Sequence, residues 1–236
     1  MAIFIITGKP RHGKTYWLAS QIPRWLKEAK NEGVKLYPNF KINYELLGYE
    51  NIEGDIYSAA DRDDPTKLIY YWRNINAWNY MSKGRILVDE ASRYFNPRKW
   101  AMLSEDTEVK LQQHGKEDLT IWGTTQHYSR LDVTLRILVE RFLDVQMIFG
   151  NPSNKKSLFP KICRLREYYL EDMERAERLG KENTQVEPIY QEYFFIRKKY
   201  GNLYDTRAMV GRSDPMPLIH NKRTCPVCKK EVISHL

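Results

Sequence analysis

Residues 2–7, AIFIIT, are continuously apolar or β-branched, and they run directly into GKPRHGKT, residues 8–15. A strand followed by Gly8-x-x-x-x-Gly13-Lys14-Thr15 leaves few options for the fold. Glycine adopts backbone dihedrals that other residues resist. The loop can therefore curl until its N–H groups point inward and form a nest for an anion. The stretch that follows, KTYWLASQIPRWLKEAK, reads as a helix over 14–31, and its N-terminal end adds positive potential at the same place. The nest fits phosphates. Gly8, Lys9, Pro10, Arg11, His12, Gly13, Lys14 and Thr15 form the expected nucleotide-binding set. In this pattern the lysine reaches the β- and γ-phosphates and the Thr15 hydroxyl ligates Mg²⁺.

The remaining chain alternates strand and helix patterns. VKLYPNF, KLIYYW, RILVDEAS, LTIWGTTQ and FLDVQMIFG read as strands, with helices over 104–115 and in DVTLRILVE. Residues 44–66 read as an acidic loop with a turn at DRDDP, and Pro23 is expected to kink the first helix or reset its start. Alternation of this kind implies an α/β fold with a mainly parallel sheet. After Gly150 the texture changes. NPSNKKSLFP reads as a linker, KICRLREYYL and IYQEYFFIRKKY as tyrosine-rich strands, and DMERAERLGKEN between them as a charged helix ending at Gly180. We expect a nucleotide-binding domain over 1–150, a small basic α+β extension over 151–218 and a short tail over 219–236.

RILVDEAS places Asp89 and Glu90 at the C-terminal end of a strand, 75 residues after Lys14. In an open parallel sheet ligands bind at that end. Hydrolysis of a nucleotide needs a metal ligand and a group that activates water. Asp89 is expected to hold Mg²⁺ and Glu90 to polarise the water. The separation leaves room for one more strand between the loop strand and the carboxylate strand. LTIWGTTQH ends in Thr124, Thr125 and Gln126, and an amide at Gln126 could sense both the γ-phosphate and the water.

FIITGKPRHGKT, RILVDEASRYFNPR, HGKEDLTIWGTTQHYSRLDVTLRILVERF and YGNLYDT together resemble the zonular occludens toxin (Zot) family, which includes the assembly ATPases of filamentous phages. That family is related to the FtsK/HerA-type ATPases, among them viral genome-packaging motors. The resemblance covers roughly residues 1–150. It implies a P-loop NTPase fold of the additional-strand type and ATP hydrolysis with Mg²⁺, coupled to DNA translocation, packaging or virion assembly. Lys14, Glu90 and Gln126 take the catalytic places, and Thr15 and Asp89 the magnesium places. Members of the family usually carry a membrane span after the ATPase domain. No stretch here approaches the ~20 apolar residues a span requires, which favours a DNA-handling motor in the host cytoplasm or on the virion.

Such motors commonly work as homo-oligomeric rings in which an arginine from one subunit completes the neighbour's site. Arg130, Arg136 and Arg141 are the candidates. Charge is uneven, with 21 Lys/Arg against 19 Asp/Glu over 1–150 and 17 against 11 over 151–236. A basic C-terminal region suits a polyanion such as viral DNA. Three cysteines make no disulfide framework. Cys225 and Cys228 have the spacing of one zinc knuckle, and His220 and His235 would complete H-x₄-C-x₂-C-x₆-H, with Cys163 a more distant option. A competing reading is a membrane-associated phage morphogenesis protein that uses nucleotide as a structural switch, with capsid or membrane-bound partners. A small nucleotide kinase fits less well, because the chain shows no lid-like arginine cluster.

Overall fold

A computed structural model of the chain describes residues 2–100, 103–150, 161–179, 186–209, 222–224 and 231–233. The first strand, β1 (Ile3–Thr7), is almost fully buried, and α1 (Lys14–Glu32) follows the loop. Trp17, Leu18, Ile22, Trp25, Leu26 and Ala29 fall on one buried stripe of α1, at the spacing of a helix face. The helix closes at Gly33, where φ is 68° and the N–H donates to the Ala29 carbonyl. Pro23 neither resets the helix nor ends it. An internal proline costs about 3 kcal/mol, whereas each large apolar side chain buried recovers about 1.5–3 kcal/mol. The stripe, with two tryptophans, therefore outweighs the proline.

The chain continues through β2 (Lys35–Pro38), β3 (Phe40–Ile42), β4 (Glu53–Gly54), α2 (Ala59–Asp63), β5 (Ile69–Tyr70), β6 (Gly84–Val88), α3 (Pro97–Trp100), α4 (Glu105–Gln112), β7 (Leu119–Thr124), α5 (Val133–Leu138) and β8 (Arg141–Phe149). Ser104 caps α4 and Asp132 caps α5, each accepting a backbone N–H of the first turn. In the sheet the order is β8-β1-β7-β6-β2-β5-β4, all parallel. The extra strand expected between the loop strand and the carboxylate strand is β7. Two details differ from the sequence reading. VKLYPNF is two strands broken at Asn39, because β3 leaves the main sheet for another partner. The stretch read as an acidic loop over 44–66 contains the short β4 and the single turn α2, capped by Ser58.

Beyond β8 the sheet turns antiparallel. Strand β9 (Lys161–Tyr168) pairs with β8, and β10 (Tyr190–Ile196) pairs with β9, which brings the sheet to nine strands. Between them lies α6 (Leu170–Leu179), whose Met173 and Ala176 are buried against the sheet. After α7 (Lys198–Gly201), β11 (Tyr204–Met209) pairs antiparallel with β3. Strands β12 (Lys222–Thr224) and β13 (Glu231–Ile233) form a separate antiparallel pair. One core cluster lies on each face of the sheet. Trp72, Trp78, Phe95 and Phe142 belong to one, and the α1 stripe with Val145 and Cys163 belongs to the other. Among the described residues, no helix is long and apolar enough to cross a membrane.

Candidate active site: a phosphate loop facing paired carboxylates

The loop after β1 can be built only with glycine at its first position. Gly8 has φ 143°, and a Cβ there would stand 2.2 Å from the Val145 carbonyl oxygen of β8. Gly13 begins α1 with φ 97°, packed against Cys163, Phe194 and Ile196 of β9 and β10. The antiparallel strands thus brace the loop from outside. The Met147 N–H donates to His12 Nδ1 at 3.2 Å, and the Cys163 thiol donates to the His12 carbonyl at 3.2 Å. Burial, then the charges of Lys9 and Lys14, hold the His12 imidazole below its ordinary value, consistent with a ring nitrogen that accepts. Burial pushes the Cys163 thiol up to about 12, so it stays a neutral donor. The more distant zinc ligand considered in the sequence is therefore a core residue beneath the loop.

Lys14 is buried, and its Nζ donates to the carbonyls of Gly8 at 2.9 Å and Lys9 at 3.1 Å. Burial lowers its ammonium pKa, while Glu90 and Asp89 act in the other direction. A cation held this way is desolvated but keeps exchangeable partners, as a phosphate-binding lysine requires. Lys9, Pro10 and Arg11 are exposed at the loop tip, with Arg11 at φ 65°.

The carboxylate strand meets the loop through Asp89. Its Oδ1 accepts from the Thr15 hydroxyl at 2.9 Å and from the Thr124 hydroxyl at 2.6 Å. The Thr124 oxygen in turn accepts from the Glu90 N–H at 3.0 Å. Three elements, α1, β6 and β7, therefore converge on one carboxylate. The donors are all oxygens, a set that suits Mg²⁺, which takes few protein ligands and keeps water or phosphate for the rest. Thr15 and Asp89 are the residues that would hold it. Glu90 has φ 55°, a left-handed conformation that costs a non-glycine residue about 1–2 kcal/mol. Gln126 lies just past β7 at the same end of the sheet, half-buried, with no side-chain hydrogen bond among the described residues.

The sequence reading missed Asn39. Its Oδ1 accepts from the Asp89 N–H at 2.7 Å and its Nδ2 donates to the Asp89 carbonyl at 3.0 Å. The only local signal is an asparagine between Pro38 and Phe40, a pair of residues that otherwise read as strand. It also missed Tyr204 of β11. Burial, and then the negative charge of Asp89, push the Tyr204 phenol up to about 12.

The geometry of the loop, the carboxylates and the intervening strand is that of a P-loop NTPase. The zonular occludens toxin (Zot) family model matches residues 2–148. This chain belongs to the Zot family. Among solved structures, the N-terminal domain of zonular occludens toxin from Neisseria meningitidis is 20% identical, with 86% of this chain and 98% of that chain covered and a TM-score of 0.49. The genome packaging NTPase B204 from Sulfolobus turreted icosahedral virus 2, in complex with AMP, is 13% identical, with 84% and 94% covered and a TM-score of 0.50. At that identity the likeness to B204 is one of fold. No curated protein matches the sequence.

The three arginines are placed differently. Arg141 is tied to Glu167 at 3.1 Å and stacks 4.0 Å from the Tyr169 ring. Arg136 faces Glu174 at 3.9 Å and the Tyr128 ring. Arg130 is exposed in the turn that follows Gln126. Among the described residues, no group of three or more His, Cys, Asp or Glu could hold a metal ion. His220, Cys225, Cys228 and His235 lie outside the described residues, with 225–230 between β12 and β13.

Proposed function

We propose that this Zot-family chain is an ATP-hydrolysing motor of a phage or virus, coupling turnover to movement or packaging of DNA or to virion assembly. The observation that carries the reading is the shared carboxylate. Thr15 of the phosphate loop and Thr124 of the neighbouring strand both bond to Asp89, with buried Lys14 beside them.

In this account Lys14 exchanges the carbonyls of Gly8 and Lys9 for phosphate oxygens. There it neutralises charge that grows as the γ-phosphoryl group transfers. Glu90 takes a proton from a water whose oxygen bonds to the γ-phosphorus, while the bond to the β–γ bridging oxygen breaks and ADP leaves. Gln126 orients that water. Thr15 and Asp89 would hold Mg²⁺, which would supply positive charge to the phosphates. A basic extension over 151–218, whose β9 and β10 continue the same sheet and brace the loop, offers phosphate contacts. A tail over 219–236 carries a zinc knuckle built on Cys225 and Cys228. Of the three arginines, Arg130 is exposed, and it is the one we assign to the neighbouring subunit's site in a ring. The setting is the host cytoplasm or the virion.

ATP turnover by the purified chain, with and without DNA, tests the reading. Turnover that DNA stimulates and Lys14→Ala abolishes supports it. Tight nucleotide binding without turnover would replace the motor with a nucleotide-operated structural switch.

A further inference from the structure

Glu90 has left-handed backbone geometry, and its neighbours must hold it there. The grip comes from both sides of β6. On the β7 side, the Thr124 hydroxyl takes the Glu90 N–H. On the β2 side, the Asn39 amide takes both the N–H and the carbonyl of Asp89. An asparagine amide offers one donor edge and one acceptor edge, which is what a single residue's N–H and C=O need. An ionised aspartate offers only acceptors. Asn39 is itself fixed. Its N–H donates to the Leu87 carbonyl at 3.0 Å, and β3, which starts at the next residue, is clasped by β11. Asn43, at the end of β3, extends the clasp, with its N–H on the Leu203 carbonyl and its Nδ2 on the Asn202 carbonyl.

We propose that Asn39 is a positioning residue for hydrolysis: its side-chain amide sets the backbone of Asp89, and through it the direction of the Asp89 and Glu90 carboxylates. The inference rests on the reading of Asp89 as the metal ligand and Glu90 as the base. It adds a residue that touches neither nucleotide nor metal. The clasp of β11 on β3 makes the C-terminal extension part of the same support.

The test uses the full chain with Asn39→Ala and Asn39→Asp, each first checked for folding by thermal unfolding. Dissociation constants for a fluorescent ATP analogue are measured in EDTA and in Mg²⁺, alongside kcat and KM for ATP. Binding in EDTA depends on the loop and Lys14, and should stay within about twofold of wild type. The tightening that Mg²⁺ adds should shrink, and kcat should fall about 10- to 100-fold, the usual loss when a residue that orients a metal ligand is removed. Asn39→Asp keeps the acceptor for the Asp89 N–H but sets a charged acceptor against the Asp89 carbonyl, and should lose at least as much kcat as Asn39→Ala. It also carries the test if the alanine variant does not fold. Folded variants with wild-type kcat and wild-type Mg²⁺-dependent tightening overturn the proposal. So does an equal loss of binding with and without metal, which would mean general damage to the site. A wild-type protein that turns over no ATP strikes the hydrolase reading instead, and the metal-dependent binding still judges Asn39.

Discussion

Thr124→Val removes one hydroxyl and keeps the shape of the side chain. Thr124 is 1% exposed, so no water replaces what is lost. Two hydrogen bonds go, one to the Asp89 carboxylate at 2.6 Å and one from the Glu90 N–H at 3.0 Å. A bond to a charged group contributes about 1.5–3 kcal/mol and a neutral one about 0.5–1.5 kcal/mol. The variant should therefore lose about 2–4 kcal/mol of stability. For a chain of this size each kcal/mol moves the melting temperature by about 2–4 °C, so Tm should fall by roughly 5–15 °C. Turnover should fall more steeply than binding, because the loss frees the Asp89 carboxylate and the Glu90 backbone while the phosphate loop stays intact. Thermal unfolding by circular dichroism gives the first number and steady-state ATPase assays the second. Thr124→Ser, which keeps the hydroxyl, should recover most of both. A valine variant that melts and turns over ATP like wild type would show that Thr124 does not organise Asp89 and Glu90.

Three further outcomes are expected. His12 has a folded-state pKa below its ordinary 6.5, so the unfolded chain binds the extra proton more readily and stability is lost as pH falls below about 6.5. His12→Asn should flatten that slope in melts between about pH 7.5 and 5.5, and parallel slopes would remove His12 as the cause. Elemental analysis should find about one zinc per chain that Cys228→Ser removes, and a metal-free wild type would leave Cys225 and Cys228 as plain thiols. Arg130→Ala should cut ATP turnover while leaving nucleotide affinity unchanged, and mixing it with excess Lys14→Ala should restore activity if the arginine acts across subunits. No restoration would place its action within its own chain.

The site was legible where its chemistry is written in contiguous residues. GKPRHGKT fixes the phosphate loop locally, and ILVDE places two acids at a strand end. The order of the strands was partly legible, since the separation of the loop and carboxylate strands left room for β7 between β1 and β6. What stayed hidden depends on contacts distant in sequence. Asn39 acts through Asp89, fifty residues away, and nothing beside it marks that partner. The strands over 161–168 and 190–196 are visible as patterns. Their place, antiparallel beyond β8 and bracing Gly13 and His12, is set by pairing across the sheet. Pro23 misleads because local propensity says helix break and the buried tryptophan stripe overrules it.

In the proposed mechanism Glu90 activates the water while Asp89, Thr15 and Lys14 hold the nucleotide. Glutamine keeps the size and polarity of glutamate but cannot act as a base. In a single-turnover experiment with radiolabelled ATP, Glu90→Gln should bind nucleotide with wild-type affinity in Mg²⁺ and retain it uncleaved, with the rate of cleavage down by about 100-fold or more. Cleavage at the wild-type rate would contradict the account and leave Glu90 as an acidic residue at the end of a strand.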